Sequence, residues 1–286
     1  MIIVKVFGGL GNQLFQYALA LKLAKKNNSK VILDLSWFNS KTSFATKRKF
    51  ELKYFNISLN YKTSLYDKFK LSFYNNKILK HIPINKKLNI LSDNDVINFN
   101  KIDNVYLNGY WHSYNYFDDI KDSLFIELTL NVNYDINSDF RSKILATNNA
   151  VSVHIRRTDY INNEFYAQCS LNYFQDAMQL IAEKISNPVF FIFSDDLEYV
   201  KKNLITNQTV YFSKNQNIEM ASIEDFFNMQ SCKHHIISNS TFSWWASWLN
   251  PNPNKIVVIP KHWYKNPVEN SNGYYLDSYI ISDNDY

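Results

Sequence analysis

Short apolar runs alternate along the chain with longer segments in which apolar residues recur at helical spacing. Near the N-terminus, residues 2–7 and 31–34 predict strands, and residues 12–26 between them predict a helix. Residues 103–109 predict one more strand. Because a strand, a helix and a second strand in succession form a parallel pair, this end of the chain predicts a β-α-β unit.

The second half of the chain shows the same alternation more clearly. It predicts strands at residues 150–155, 189–193, 209–212, 235–238 and 255–259, and helices at residues 171–185, 197–204, 223–230 and 241–249. Alternating strands and helices build a parallel sheet that is covered on both faces. The predicted fold class is therefore α/β, with two Rossmann-like halves.

A polar stretch at residues 131–149, which surrounds a short predicted helix, is the expected domain boundary. We predict an N-terminal Rossmann-like domain at residues 1–145 and a second domain at residues 146–286. Within the first domain, residues 40–100 form a basic and aromatic insertion without clear periodicity.

Composition limits the class of protein. The two cysteines lie far apart and do not have the spacing of a metal or redox motif, which favours a reduced, cytoplasmic compartment. The longest apolar runs are shorter than the roughly 18 residues that a transmembrane helix needs, so none is expected.

The positive charge is unevenly placed. The chain has a net charge of +5, and residues 62–87 alone carry seven lysines and one aspartate, interleaved with aromatic rings. Two interpretations stay open: a solvated helical face, or a surface that docks on the anionic cytoplasmic face of the inner membrane, where each lysine contributes about 1 kcal/mol. No nucleic-acid-binding motif accompanies the charge, so nucleic acid is not expected as a partner.

Four ionisable residues follow the apolar run that begins the second domain. His154, Arg156, Arg157 and Asp159 stand at the end of the strand predicted at residues 150–155. Ligands of open α/β sheets bind at strand ends, and two adjacent guanidiniums suit bidentate binding of phosphate oxygens. The alternative is an ordinary ion-paired surface turn, which is the commoner origin of such a cluster.

A second polar motif follows the strand predicted at residues 235–238. It contains four side chains that hydrogen-bond readily, at the start of a predicted helix: Asn239, Ser240, Thr241 and Ser243. Helix N-termini bind anions through their backbone N–H groups and the helix dipole. The three tryptophans that follow, Trp244, Trp245 and Trp248, have helical spacing and are predicted to pack on the sheet rather than to stack on a base.

With both motifs in view, the chain resembles the bacterial α-1,2-fucosyltransferases, the galactoside 2-L-fucosyltransferases of glycosyltransferase family 11. Their His-x-Arg-Arg-x-Asp segment is matched at residues 154–159, and their Asn-Ser-(Thr/Ser)-Phe-Ser-Trp-Trp segment at residues 239–245. The likeness includes residues 8–13, 107–113, 116–117 and 191–196. Thr158 and Ala246 stand where glycine is usual.

The resemblance implies a GT-B-type fold, with two Rossmann-like domains whose parallel sheets face a central cleft. It also implies an inverting transferase that moves L-fucose from GDP-β-L-fucose to the 2-hydroxyl of a terminal galactose. The acceptor would be a galactose-terminated surface glycan such as lipopolysaccharide O-antigen, and whether it is linked to a lipid stays open. No metal and no cofactor are implied, and GDP-fucose is the donor substrate.

Roles follow for the candidate residues. Arg156 and Arg157 would stabilise the charge that grows on the β-phosphate, and the residues at the helix terminus would add donors. His154 would orient this array or touch the sugar. Asp159 is a counter-ion or a base, and the counter-ion is favoured because a carboxylate beside a guanidinium has a lowered pKa. Asp195 and Asp196 are expected either to cap the next helix or to accept hydrogen bonds from the ribose or guanine of the donor. On the side of the cleft that binds the acceptor glycan, the expected contacts are Gly8, Asn12, Gln13, Trp111 and His112.

Two other functions are alternatives: an NAD-type oxidoreductase and a non-catalytic glycan-binding protein. Gly9 and Gly11, followed by Asp34 at the end of the next strand, form part of a dinucleotide fingerprint, but Leu14 stands in place of its third glycine. An NAD-type oxidoreductase is therefore disfavoured. A non-catalytic glycan-binding protein is disfavoured because neutral sugars need no paired arginines. The two Asp-x-Asp triplets, at residues 93–95 and 283–285, follow no convincing buried strand and are not expected to bind metal.

Overall fold

The structure, a computed structural model, describes residues 1–39, 48–61, 89–93, 95, 97, 99, 102, 104–136, 138–158, 163–213, 220–266 and 272–284. The chain forms two compact units, Met1–Asn131 and Val132–Tyr286. The sequence predicted a domain boundary after residue 145, whereas the contacts divide the units after Asn131. The helix Asp139–Ala146 therefore belongs by its contacts to the second unit. The lysine-rich segment 62–87 lies outside the described residues, and its docking on a membrane stays a prediction.

Unit 1 is built on a four-stranded parallel sheet in the order β2-β1-β4-β3. Its helix α1 is buried along most of its length: apolar residues occupy most positions from Leu10 to Leu23, and the polar Gln13, Gln16 and Lys22 are buried with them. The helix ends at Asn28, which adopts the left-handed conformation common at helix C-termini. The elements are β1 (Ile2–Lys5), α1 (Leu10–Asn27), β2 (Val31–Asp34), β3 (Asn89–Leu91), β4 (Val105–Leu107) and α2 (Lys121–Glu127).

Unit 2 is built on a six-stranded parallel sheet in the order β10-β9-β8-β5-β6-β7. Its strands are β5 (Ala150–Ile155), β6 (Val189–Ser194), β7 (Thr209–Phe212), β8 (His234–Ile236), β9 (Val257–Pro260) and β10 (Ile280–Ser282). Its helices are α3 (Asp139–Ala146), α4 (Leu171–Lys184), α5 (Leu197–Asn203), α6 (Ala221–Ser231) and α7 (Thr241–Trp248).

Strand β5 lies inside this sheet and is buried along its whole length. Val151, Val153 and Ile155 face one side and pack in a core with Tyr173 and Phe174 of α4. Alternation along the strand therefore places the polar residues of β5 on the opposite face. The core fixes β5 rigidly, so the residues that leave its carboxyl end start from a defined position.

The strand order identifies where a ligand fits. From β5 the chain passes outward to β6 and β7, and then returns to β8 on the other side of β5. The carboxyl ends of β5 and β8 are therefore the point at which the winding reverses, where ligands of such sheets bind. In unit 1 the corresponding point lies between β1 and β4.

Most elements agree with the sequence prediction, with small shifts at their ends. The strand predicted at residues 235–238 instead spans His234–Ile236, so Ser238 belongs to the loop that follows. Two edge strands, β3 and β10, and the helix α2 were not predicted. Within the part of the chain that the structure describes, none of the helices combines the length and the hydropathy that crossing a membrane requires.

Candidate active site

The segment after β5 is held by the carboxylate of Asp195, which follows the neighbouring strand β6. Asp195 accepts hydrogen bonds from the backbone N–H groups of Arg157 at 2.9 Å and Thr158 at 3.2 Å, and from the Thr158 hydroxyl at 2.5 Å. Its Oδ2 also lies 3.2 Å from Nη1 of Arg156. One carboxylate thus fixes both the backbone of this segment and the first arginine.

The ionisation of Asp195 suits this position. Burial by itself raises the pKa of Asp195, but the positive charge of Arg156 and the hydrogen bonds from Thr158 and Arg157 outweigh it. The pKa therefore lies below that of an ordinary aspartate. Asp195 is consequently an anion at neutral pH and a stable counter-ion for Arg156.

Arg157 is held by a different set of partners, all in helix α5 or at its start. Its Nε lies 3.4 Å from Oδ2 of Asp196, and its Cζ lies 3.3 Å from the ring centroid of Tyr199. The other carboxylate oxygen of Asp196 accepts the backbone N–H of Tyr199 at 3.3 Å, so Asp196 also caps the helix. The capping role predicted for Asp196 is therefore confirmed.

These contacts change the expected division of roles. Asp195 and Asp196 act as the counter-ions of the two arginines, which is the role that the sequence favoured for Asp159. Asp159 lies outside the described residues. A contact from Asp195 or Asp196 to ribose or guanine stays a prediction, and each carboxylate would have to make it in addition to its arginine.

His154 links β5 to the loop after β8. Its side chain is buried, and its Nδ1 lies 2.9 Å from the hydroxyl of Ser243 and 3.1 Å from that of Ser238. The ring also packs against Phe242, with centroids 5.6 Å apart. His154 and Ser243 thus join the two strand ends at the reversal point of the sheet, which supports an orienting role for the histidine.

The polar motif at the start of α7 divides into buried and accessible members. Asn239 is buried, and its amide donates to the carbonyls of Ala167 and Trp263. Its side chain therefore holds two loops together, and a contact of this side chain with the donor stays a prediction. Ser240 is the N-cap residue, but its hydroxyl accepts no capping hydrogen bond, and the partly exposed Thr241 begins the helix.

The tryptophans of α7 form part of the core, as predicted. Trp244, Trp245 and Trp248 are each at most 1 % exposed. Trp244 and Trp248 stack at 6.0 Å, and Trp245 meets both of them edge to face. They anchor the helix whose first turn faces the ends of β5 and β8, so their role is to fix its position.

In unit 1, a loop that contains Gly8 and Gly9 leaves β1 and leads into α1. Gly8 has a φ of +80°, and a Cβ at this position would lie 2.7 Å from Nδ2 of Asn12, so only glycine fits. The Asn12 side chain forms a hydrogen bond with His112, with 3.1 Å between Asn12 Oδ1 and His112 Nε2. Both residues follow strands that meet at the reversal point of this sheet, β1 and β4.

Two residues expected on the acceptor side have buried side chains. Gln13 is fully buried, and its amide bonds the carbonyls of Gly8 and Lys49 and the N–H of Glu51, so it holds the loop from within. Trp111 is also buried. An acceptor contact with either residue stays a prediction.

Tyr110 is an exposed aromatic residue that the sequence did not single out. It stacks on His112 at 5.0 Å and contacts Phe7 at 4.7 Å, while 41 % of its surface remains exposed. Burial lowers the pKa of His112 to about 3, so the imidazole is neutral at physiological pH. Neutral hydrogen-bonding groups beside an exposed ring suit an uncharged sugar better than a phosphate.

The features that suggested other chemistry have structural roles. Asp34 is buried and accepts hydrogen bonds from the Tyr106 hydroxyl at 2.7 Å and the Ser36 N–H at 2.9 Å, so it is not placed as the ribose ligand of a dinucleotide fold. Asp93 accepts the backbone N–H groups of Tyr110 and Trp111. Among the described residues, no group of three or more histidines, cysteines and carboxylates has the arrangement of a metal site.

Comparison with known proteins gives a consistent result. The model of the family described as Glycosyl transferase family 11 matches residues 1–281. An alpha-1,2-colitosyltransferase of Escherichia coli is 30 % identical, and the match covers 95 % of each chain. The O-antigen biosynthesis glycosyltransferase WbnK of Escherichia coli is 32 % identical over 96 % of this chain and 97 % of its own.

A solved structure supports the fold. The crystal structure of the fucosyltransferase NodZ from Bradyrhizobium matches with a TM-score of 0.51 and 13 % identity, over 87 % of this chain and 93 % of that one. The fold is of the GT-B type, with two α/β units on parallel sheets, which confirms the fold class expected from the sequence.

Proposed function

Because the chain belongs to glycosyltransferase family 11, we propose that it transfers L-fucose from GDP-β-L-fucose to the 2-hydroxyl of a terminal galactose. The transfer inverts the anomeric centre and yields an α-1,2 linkage. The observation that carries the proposal is the pair of adjacent arginines at the end of β5, each held by its own carboxylate. This pair is a fixed cationic site at the position where a parallel sheet binds ligands.

The arginine pair fits the chemistry of the donor. As the bond between fucose and the β-phosphate breaks, negative charge grows on the phosphate oxygens. Arg156 and Arg157 stabilise this charge because their guanidiniums are cationic and are positioned before the reaction begins. The first turn of α7, at Thr241, adds backbone N–H groups from the other side of β5. The two arginines thereby take the place of a divalent cation in the proposal.

The acceptor is assigned to unit 1. Asn12 and His112 offer neutral hydrogen-bonding groups, and Tyr110 offers an exposed ring on which a sugar can lie. A galactose-terminated glycan, as in an O-antigen repeat, matches this chemistry because it is uncharged and amphipathic. The similarity to an O-antigen glycosyltransferase supports the same class of acceptor.

GDP-L-colitose is a second candidate donor, since one of the similar proteins is an alpha-1,2-colitosyltransferase. Colitose is L-fucose without its 3-hydroxyl, so the two donors differ by a single oxygen. A site that hydrogen-bonds this hydroxyl rejects the deoxy sugar strongly, because the buried partner is left unpaired. The preference between the two donors therefore reports how the site treats the 3-hydroxyl.

The proposal is tested with a donor panel and a galactose-terminated acceptor. We expect transfer from GDP-L-fucose, weaker transfer from GDP-L-colitose, and no transfer from UDP-galactose or GDP-mannose. The product linkage is read by NMR, and an α-1,2 bond is expected. Transfer from a UDP-sugar, or binding of glycan without any transfer across the panel, would contradict the proposal and favour a different donor class or a non-catalytic lectin.

A further inference from the structure

Tyr199 is an aromatic ring in direct contact with Arg157, and it is not part of the core. It lies in the first turn of α5 and keeps 37 % of its surface exposed. Arg157 Cζ lies 3.3 Å from the centre of this ring. A contact this close means that the guanidinium covers the ring, which is the arrangement of a cation–π pair.

The contacts of Arg157 define which part of its guanidinium is left for a ligand. Nε faces Asp196 Oδ2 at 3.4 Å, and the ring of Tyr199 occupies the space next to Cζ. Among the described residues, neither terminal nitrogen of Arg157 takes part in a hydrogen bond or an ion pair. These two nitrogens form the fork that binds a phosphate bidentately.

An ion pair through Nε does not fix this fork by itself. A side chain held at one nitrogen can still rotate about that contact, and arginine has several rotatable bonds. The ring of Tyr199 removes this freedom because it confines the guanidinium at a second point. The ring is itself positioned by Asp196, which accepts the backbone N–H of Tyr199. Asp196 therefore sets both contacts of Arg157.

We propose that Tyr199 is a positioning residue, whose ring holds the Arg157 guanidinium so that its two terminal nitrogens point to the β-phosphate of the donor. The inference rests on the proposed function, because it assigns Arg157 to the leaving group. Tyr199 acts through Arg157 and does not touch the reacting atoms. Its ring carries the role and its hydroxyl does not.

The test is a double-mutant cycle on kcat with GDP-L-fucose. Tyr199→Leu should lower kcat roughly 3- to 30-fold, the range of one cation–π contact, and change the acceptor KM little. Tyr199→Phe should keep most of the activity, because it retains the ring. In an Arg157→Lys background, Tyr199→Leu should have almost no further effect, because the fork that it positions is already lost.

A matched control is available in the same unit. Tyr211 is 36 % exposed, and its ring also contacts a cation, since Lys143 Nζ lies 4.0 Å from the ring centroid. Tyr211 differs from Tyr199 in that it lies on the edge strand β7. Tyr211→Leu should leave kcat unchanged. Melting temperatures of all variants separate a loss of folded protein from a loss of rate.

Three results would overturn the inference: an unchanged kcat in Tyr199→Leu, a Tyr199→Phe variant as slow as Tyr199→Leu, or additive losses in the cycle. A wild-type enzyme without fucosyl transfer would instead overturn the proposed function. The two failures are thus distinguished by the wild-type rate.

Discussion

Arg156→Ala should lower kcat for fucosyl transfer by roughly 10²–10³, the loss seen when one preorganised charge-stabilising donor is removed. The guanidinium is fixed by Asp195 before the donor binds, so its full charge acts on the departing phosphate. Arg156→Lys should recover little of this loss, because an ammonium keeps the charge without the planar fork. Steady-state kinetics with GDP-L-fucose provide the measurement.

The control for Arg156 is Lys184, an exposed cation at the C-terminal end of α4. Lys184→Ala removes the same charge from the same unit and should leave kcat within twofold, as expected of a surface substitution. A fully active Arg156→Lys enzyme would show that a general positive charge is sufficient. The case for a bidentate contact would then rest on Arg157 alone.

Asp195→Asn should impair both folding and catalysis, because one carboxylate binds four donor groups on three residues. The amide keeps the shape but places an NH₂ group, in the position of Oδ2, against three donors: the N–H and the hydroxyl of Thr158 and Nη1 of Arg156. We expect a loss of about 1–3 kcal/mol in the free energy of unfolding, the cost of leaving polar groups unpaired. We also expect kcat to fall roughly 10²-fold, since Arg156 and the loop that carries it lose their anchor.

The pH dependence of this effect has a defined sign. Asp195 has a lowered pKa in the folded protein, so its stabilising contribution is present at neutral pH and is lost as the pH falls through that pKa. The stability difference between wild type and Asp195→Asn should therefore be full above about pH 5 and should shrink below about pH 4. Urea unfolding at both pH values measures it.

Asp283 provides the comparison for Asp195. It forms an exposed ion pair with Lys261, with 3.4 Å between Nζ and Oδ2. Such pairs contribute about 0–1 kcal/mol, so Asp283→Asn should change neither stability nor kcat appreciably. If Asp195→Asn behaves in the same way, the carboxylate is not the anchor of the arginine segment.

The regular part of the fold could be predicted from the sequence where packing leaves a strong pattern. Strand β5 is buried along its whole length, so its run of apolar residues appears in the sequence with the correct bounds. Strand β3 could not be predicted, because Asn89 and Ile90 are exposed on an edge strand and show neither a continuous apolar run nor alternation. Its place depends on pairing with β4 rather than on its own residues.

The site could be predicted only as a set of candidates. The arginines were found because they follow an apolar run, but the counter-ion of each arginine lies 39 residues further along the chain. The arginines and these carboxylates come together because β5 pairs with β6. The register pairs Ile155 with Ser194, which places Asp195 beside Arg156. Asp159 was favoured as a counter-ion rather than a base because a carboxylate beside a guanidinium has a lowered pKa.

Motif residues with structural roles explain the remaining differences. Asn239 and Gln13 belong to segments that match the family, yet their amides bond backbone carbonyls inside each unit. Sequence alone does not separate a polar side chain that binds a ligand from one that holds a loop. The separation requires the burial and the hydrogen-bond partners of each amide.

In the proposed mechanism two arginines, rather than a metal ion, stabilise the leaving GDP. The most direct test is the single-turnover rate of fucosyl transfer in excess EDTA, compared with the rate in Mn²⁺ or Mg²⁺, for wild type and Arg156→Ala. We expect equal wild-type rates with and without the metal, and a slow variant that no metal restores. A wild-type enzyme that is inactive in EDTA and recovers with Mn²⁺ would contradict it.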